Sequence, residues 1–118
     1  MKANEIKDRV LEVLNGKEFI PLFEIEKYIE EAKGEYDYFM PMKNGYNQNI
    51  LWASKLSQET IKSIHELILE DKINWNPIDL SEVIFQGYKM ISLRPFKKPM
   101  VKTQTKCWMP ILISIKEI

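Results

Sequence analysis

Residues 56–73, LSQETIKSIHELILEDKI, constrain the fold more than any other stretch, because they predict a single well-bounded amphipathic helix. Ser57 stands where an N-cap belongs, with its hydroxyl placed to accept a hydrogen bond from the backbone N–H of Thr60. Leu56 and Ile61 have the spacing of a hydrophobic staple around that cap. An apolar stripe and an opposing polar face follow. The stripe is Ile61, Ile64, Leu67 and Ile68, and the polar face is Gln58, Glu59, Lys62, Ser63, Glu66 and Glu70.

Length and composition indicate one globular domain over residues 1–118. With 45% hydrophobic and 29% charged residues, the chain has the balance of an ordinary packed protein. No apolar run approaches the roughly 20 residues that span a bilayer, and the N-terminal MKANEIKDRV is too charged for a secretory signal. The single cysteine, Cys107, cannot form an internal disulfide. We therefore expect a reduced, cytoplasmic protein without a membrane segment.

Two helices and a hairpin are predicted before the central helix. Asn4 is the expected N-cap of a helix over residues 4–14, and a second helix over residues 23–33 follows a short extended piece. Asn44-Gly45 is a strong hairpin signal, flanked by apolar residues at alternate positions. We interpret residues 34–53 as a β-hairpin with an aromatic, Met-rich face, and residues 49–55 fit either a strand or a short helix.

The last third of the chain predicts mainly strands. Residues 74–77 are expected to form a loop, followed by two strands joined tightly at Gln86-Gly87. An exposed basic arm comes next, and a strand with alternating isoleucines closes the chain. The strands cover residues 82–85, 88–94 and 108–116, and the arm covers residues 95–106.

This order of elements resembles the winged helix-turn-helix domain, a family of DNA-binding proteins. KDRVLEVLNGKEFIPLFEIEKYIEE resembles the family's first helix, first strand and second helix, and LSQETIKSIHELILEDKI resembles its third helix. Residues 82–94 would be the wing, and residues 34–53 an insertion between the second and third helices. The resemblance implies an α+β fold: a three-helix winged-helix-like core with a C-terminal antiparallel β-sheet and an inserted β-hairpin.

The charges are unevenly distributed although the net charge is zero. Residues 1–40 carry six cations against ten acids, whereas residues 87–118 carry seven cations against one acid. Residues 57–72 carry four acids against two cations, and a helix in a DNA groove normally has a cationic surplus. Any polyanion is therefore expected to contact the basic hairpin and arm more than the central helix. The sequence leaves open whether these lysines instead balance the acidic helices.

No pattern indicates an enzyme, a cofactor or a metal site. His65, the only histidine, lies at the border of the buried stripe, where packing explains it. Cys107 has no base in a recognisable spacing, and the four glycines form no phosphate-binding loop. The sequence therefore predicts a non-enzymatic protein.

Two classes of function remain open. The first is nucleic-acid binding, to DNA rather than RNA, through cations that contact phosphates and residues of the central helix that read bases. The candidate residues are Lys55, Gln58, Lys62, Ser63, Lys89, Arg94, Lys97, Lys98, Lys102 and Lys106. The second is a small phage or mobile-element protein that binds and modulates a host protein through its acidic helices and the hairpin. Its candidate interface is Tyr36, Tyr38, Met40, Met42, Tyr46 and Trp52. The sequence leaves open whether the aromatic residues of this set are exposed or belong to the core. A homodimer that pairs acidic and basic faces is compatible with both.

Overall fold

The protein has an α+β fold, as the sequence predicted. The structure is a computed structural model that describes residues 2–42, 45–87, 94–95 and 107–116, without the side chains of residues 3, 42, 45–49, 80, 94 and 95. Its α-helices are α1 (Ala3–Asn15), α2 (Gln58–Leu69) and α3 (Leu80–Phe85). Its strands are β1 (Ile20–Pro21), β2 (Lys33–Met42), β3 (Gly45–Leu56), β4 (Ile73–Pro77), β5 (Arg94–Pro95), β6 (Cys107–Trp108) and β7 (Ile111–Ile115).

The strands form two small sheets. In the first, with the order β1-β7-β4, the C-terminal strand β7 is central and pairs antiparallel with both neighbours. In the second, with the order β2-β3-β6-β5, β2 and β3 form the antiparallel hairpin, whereas β6 runs parallel to both β3 and β5. Strand β7 lies in an antiparallel sheet, but its neighbours there are β1 and β4, which lie outside the predicted C-terminal sheet. The parallel arrangement around β6 is a further difference from the prediction.

Aromatic side chains join the two sheets in one core. Trp52 of β3 lies 4.8 Å from Trp75 of β4 and 5.4 Å from Tyr38 of β2, measured between ring centroids. Trp108 meets Phe23 edge to face at 5.3 Å, and its indole N–H donates to the Trp52 carbonyl at 3.3 Å. Such pairs add roughly 0.5–1.5 kcal/mol each beyond the area they bury. Helix α1 covers this core with Ile6, Val10 and Leu14, all fully buried.

The N-terminus of α2 is anchored on the backbone just before β2. The Ser57 hydroxyl accepts from the Thr60 N–H at 3.1 Å, which confirms the predicted cap. The Ala32 carbonyl accepts twice, from the Ser57 N–H at 2.8 Å and from the Thr60 hydroxyl at 3.3 Å. Since that hydroxyl donates to Ala32, the 2.6 Å contact between the two hydroxyls has Ser57 as its donor. One helix end and one strand start are thereby held together.

The predicted second helix over residues 23–33 is wrong. The chain instead forms two 3₁₀ turns, Leu22–Lys27 and Glu30–Ala32, and enters β2 at Lys33. The physical reason lies in the burial, because four consecutive residues from Leu22 to Ile25 are all buried. An α-helix with one apolar stripe cannot bury four residues in a row against a single surface. A non-helical Glu24 (φ −123°, ψ 21°) interrupts the first turn.

Three other predictions near the helices are also wrong. Helix α1 begins one residue early, so Lys2, not Asn4, is its N-cap and makes no side-chain cap bond. The central helix ends at Leu69, because Asp71 adopts a left-handed conformation (φ 61°) and the Lys72 N–H bonds back to the Leu67 carbonyl. Residues 74–77, expected as a loop, belong to β4 and pair with β7.

Residues 82–85, expected as the first wing strand, lie in α3. Val83, Ile84 and Phe85 are residue types that favour strands. The chain nevertheless turns into a helix after Asp79, whose carbonyl accepts hydrogen bonds from the N–H groups of Glu82 and Val83. Residues 88–93 and 96–106, which include most of the predicted second wing strand and the basic arm, lie outside the described part of the chain.

The predicted hairpin is confirmed, and residues 49–55 belong to its second strand. Its register shifts between Lys33 and Tyr36, where both residues oppose Leu56. The predicted turn at Asn44 lies outside the described residues. In the closing segment, Ile111 and Ile113 of β7 are fully buried, as their alternation predicted, and Met109-Pro110 separates β7 from β6.

Gly34 is the position where this packing leaves no room for a side chain. A Cβ atom there would lie 2.5 Å from the Leu56 carbonyl oxygen and from the Ser57 N and Cα atoms. All three are backbone atoms at the anchored start of α2, so they cannot move without disturbing the cap.

We predict that Gly34→Ala lowers the free energy of unfolding by about 1–3 kcal/mol, as expected for overpacking. Gly16→Ala is the matched control, because its Cβ would meet nothing nearer than the Val13 carbonyl at 3.9 Å. That control should change stability by less than about 0.5 kcal/mol. Urea denaturation of the two variants measures the difference, and equal stabilities would contradict the close approach.

Candidate nucleic-acid interface

Three of the predicted nucleic-acid contacts are exposed at the N-terminal half of α2. Gln58 and Lys62 are four residues apart, which places them one above the other on the outward side of the helix. Lys55 is exposed at the end of β3, two residues before the cap, and has a left-handed backbone (φ 58°). The fold therefore brings together an amide and two ammonium groups at the positive end of the helix dipole.

Ser63 does not belong to this surface. Its side chain is fully buried, and its hydroxyl donates to the Glu59 carbonyl one turn earlier at 2.6 Å. A serine in the interior of a helix often makes this bond to its own backbone. The prediction that Ser63 reads bases is wrong, because reaching a base would require its side chain to leave the core.

Glu66 of α2 and the two acids that follow the helix, Glu70 and Asp71, are paired with lysines from other parts of the chain. Lys7 of α1 lies 2.8 Å from a Glu70 carboxylate oxygen and 3.2 Å from one of Glu66. Its hydrogen bonds to Glu70 and Glu66 raise the pKa of Lys7, and the bond from Lys7 lowers the pKa of Glu70. Past the end of the helix, Lys116 pairs with Asp71.

These pairs change the charge count of the central helix. The sequence assigns residues 57–72 a balance of −2, and Lys7 and Lys116 contribute two positive charges from elements far away in the chain. The local balance is then zero. The remaining acid near Lys62 on the outward side of the N-terminal half is Glu59, which is exposed. The electrostatic argument against this helix as a polyanion contact is therefore weaker in the folded protein than in the sequence.

The basic C-terminal candidates fall almost entirely outside the described residues. Arg94 is placed by its backbone in β5, opposite Cys107 of β6. Its side chain is not described. The others, Lys89, Lys97, Lys98, Lys102 and Lys106, lie outside the described part of the chain.

The aromatic face of the hairpin is mostly core. Tyr38 and Trp52 are fully buried, so the prediction that they contact a partner is wrong. The predicted alternation does not hold along the hairpin, because Tyr36 is exposed and Tyr38 is buried, and four consecutive residues from Ile50 to Ala53 are all buried. The register shifts between β2 and β3 interrupt the regular two-residue period. Tyr36 is half exposed and Met40 is half-buried against the core. The side chains of Met42 and Tyr46 are not described.

Two exposed apolar residues were not recognised from the sequence. Ile84 is 62% exposed and Phe85 is 83% exposed, at the end of α3. A sequence signal existed in the run Val83-Ile84-Phe85, which in a short helix can bury only one of its three side chains. In the strand that the sequence predicts for this run, every second side chain would be covered.

The described residues form no constellation typical of catalysis or metal binding. None of their His, Cys, Asp and Glu side chains gather in a group of three that could hold a metal ion. Cys107 is buried at the start of β6, and His65 is half-buried on α2. Within the same residues, no helix is both long and apolar enough to cross a bilayer.

Comparisons of the chain with protein-family models, with curated proteins and with solved structures find no match.

The ion pairs of Lys7 predict that the stability of the protein falls at both acidic and alkaline pH. Because the pKa of Glu70 is lowered, its contribution is present above its ordinary value of 4.5 and is lost as the pH falls through the folded-state value. Because the pKa of Lys7 is raised, its contribution is present below 10.5 and is lost as the pH rises through the folded-state value. We expect Glu70→Gln to lower the Tm between these limits and to converge with the unmodified protein at acidic pH.

Thermal denaturation followed by circular dichroism across the pH range measures this convergence. The control is the same substitution in a Lys7→Met background, where Glu70→Gln should no longer change the Tm. A Tm difference that persists at acidic pH, or that survives the loss of Lys7, would contradict the assigned pairing.

Proposed function

We propose that this chain is a non-enzymatic nucleic-acid-binding protein with a regulatory role, acting on DNA rather than RNA. The observation that carries the proposal is the exposure of Lys55, Gln58 and Lys62 at the N-terminal half of α2. Of the acids on and just after this helix, Glu66, Glu70 and Asp71 are paired with lysines from elsewhere in the chain, and Glu59 is exposed. Lysines contact phosphate oxygens, and a glutamine amide can donate and accept toward a base edge.

The basic C-terminal segment supplies the larger share of the proposed phosphate contacts. Residues 87–118 carry seven cations against one acid, a net charge of +6. Lys116, whose side chain pairs with Asp71, is not counted among the proposed contacts. The proposed contacts are Lys89, Arg94, Lys97, Lys98, Lys102 and Lys106. Phosphate contacts made by such cations release counterions, so binding should weaken steeply as salt is added.

The resemblance to winged helix domains supports the choice of DNA. It rests on the order of α1, β1 and α2, with α2 in the place of the third helix. The family's second helix and first wing strand have no counterpart here, because residues 23–33 form 3₁₀ turns that lead into β2 and residues 82–85 lie in α3. Fold resemblance does not by itself determine function, so the surface chemistry of Lys55, Gln58 and Lys62 carries the argument and the element order supports it.

Fluorescence titration of a labelled duplex at a series of salt concentrations tests the proposal. We expect Lys97→Glu/Lys98→Glu to abolish binding at moderate salt and to reduce the slope of log K against log salt by about 2, since each phosphate contact contributes roughly 0.9. Gln58→Ala should alter the preference between sequences without altering that slope.

Lys2→Glu/Lys17→Glu is the charge-matched control, because it changes the net charge equally at exposed sites outside the proposed surface. It should leave the slope unchanged. The proposal is abandoned if the protein binds neither duplex nor single-stranded DNA at low salt. It also fails if the control weakens binding as much as the test variant.

A second candidate function is that of a small phage or mobile-element protein that binds and modulates a host protein. The observation that favours it is the exposure of Ile84 and Phe85, with half-exposed Tyr36 as a further apolar residue. Aromatic residues are enriched at protein interfaces and dominate their binding energy. The buried Tyr38 and Trp52 take no part in this version of the hypothesis.

Affinity capture with the purified full chain tests the second candidate. We expect Ile84→Ser/Phe85→Ser to lose a specific host protein that the unmodified chain retains. Leu69→Ser is the matched control, because Leu69 is similarly exposed (71%) but lies on α2. A captured protein that is retained equally by both variants would argue against α3 as the contact.

A further inference from the structure

A register shift at the start of the hairpin brings the first residues of β2 beside the first turn of α2. Lys33 and Tyr36 both lie opposite Leu56, so the strand takes two extra residues between them. This bend follows the helix start closely, because a Cβ atom on Gly34 would lie 2.5 Å from the N and Cα atoms of Ser57. The exposed side chain of Tyr36 is thereby placed next to the proposed nucleic-acid contacts at the start of α2.

The ring of Tyr36 joins three exposed side chains that the proposed function already uses. We name the four together the Tyr36 cluster: Tyr36, Lys55, Gln58 and Lys62. Tyr36 is half exposed, and none of the four side chains makes an ion pair or a hydrogen bond with a described residue. Lys7 and Lys116, by contrast, are held by acids of α2 and of the turn after it. The cluster therefore offers an aromatic face, two ammonium groups and an amide to another molecule.

Tyr36 differs in its surroundings from Phe19 and Phe85, the other aromatic residues that are exposed in the described part of the chain. Phe19 lies two residues after Lys17, whose ammonium group is already placed 5.3 Å from the centre of the Tyr28 ring. Phe85 ends α3, whose sequence contains an acid but no cation. An exposed ring beside cations without partners is the combination with which proteins bind unpaired bases and the adjoining phosphates.

The balance of charge around the cluster favours a ligand that offers more than phosphates. Among the described residues 33–37 and 55–62, the exposed cations and acids are equal in number: Lys33, Lys55 and Lys62 against Glu35, Asp37 and Glu59. Without a cationic surplus, a duplex gains little here, because it presents closely spaced phosphates and keeps its bases stacked inside. An unpaired nucleotide brings an open base as well, and the stacking of that base on a ring does not depend on the balance of charge.

We infer that the Tyr36 cluster binds an unpaired nucleotide of DNA, with the base stacked on Tyr36 and the adjoining phosphate at Lys55. The Gln58 amide can donate and accept hydrogen bonds at the edge of that base. The inference rests on the proposed nucleic-acid function and names the form of DNA that this surface takes. The basic C-terminal segment then supplies most of the backbone contacts, and the cluster supplies a base contact. The open base can belong to a single strand or to the unpaired end of a duplex.

Fluorescence anisotropy titrations of the full chain with four labelled probes test the inference. The probes are an oligothymidylate, an abasic strand of the same length, a blunt-ended duplex and a duplex with a single-stranded overhang. We expect Tyr36→Ala to weaken binding of the oligothymidylate on the order of tenfold and Tyr36→Phe, which keeps the ring, to change it by less than about twofold. The abasic strand should bind the unmodified chain and Tyr36→Ala equally. The dependence on salt should be the same for both, because no charge is removed.

Phe19→Ala is the matched control, because Phe19 is exposed to a similar extent (44%) and lies before β1. It should leave every titration unchanged. An effect of Tyr36 on the overhang duplex alone would assign the open base to a duplex end. If DNA is bound but Tyr36→Ala binds the oligothymidylate as tightly as the unmodified chain, or weakens the abasic strand or the blunt duplex equally, the inference is overturned while the proposed function stands. If no probe is bound at low salt, the proposed function itself fails and the inference fails with it.

Discussion

The double use of the Ala32 carbonyl is the interaction on which the arrangement of helices and hairpin depends. It accepts from the Ser57 N–H and the Thr60 hydroxyl, so the start of α2 and the start of β2 share one acceptor. Unpaired N–H groups at a helix N-terminus are costly when they are buried. Gly34 then allows the two backbones to approach closer than any side chain permits. The hairpin is in this way held between the 3₁₀ turns and the central helix.

The lysine pairs illustrate why charge must be counted on a surface and not along a helix. Lys7 and Lys116 lie more than 40 residues from the acids they pair with, yet they cancel the negative balance of α2. They do so at the C-terminal half, leaving Lys55 and Lys62 exposed around the other end. The polar face of α2 thus divides into a half that binds α1 and a half available for another molecule. The proposed nucleic-acid contact depends on that division.

The aromatic residues have a structural role that the hairpin pattern concealed. Trp52 contacts Tyr38 in its own hairpin and Trp75 in the other sheet, and its carbonyl accepts from Trp108. A residue that links three strands cannot also be an interface residue. Ile84 and Phe85, in the six-residue helix α3, are among the apolar side chains that remain exposed in the described part of the chain.

The amino-acid sequence by itself determined the elements whose signals are local. These are the Ser57 cap with its apolar stripe, helix α1, the hairpin around residue 44 and the alternating isoleucines of β7, all set by caps, periodicity and turn residues that act within a few positions. Only the tertiary structure decided the rest. The helix predicted over residues 23–33 did not form because four neighbours, Leu22 to Ile25, had to be buried together. Residues 73–77 became a strand because β7 supplied a partner, and Ser63 and Trp52 turned inward because packing across distant elements chose which face was covered.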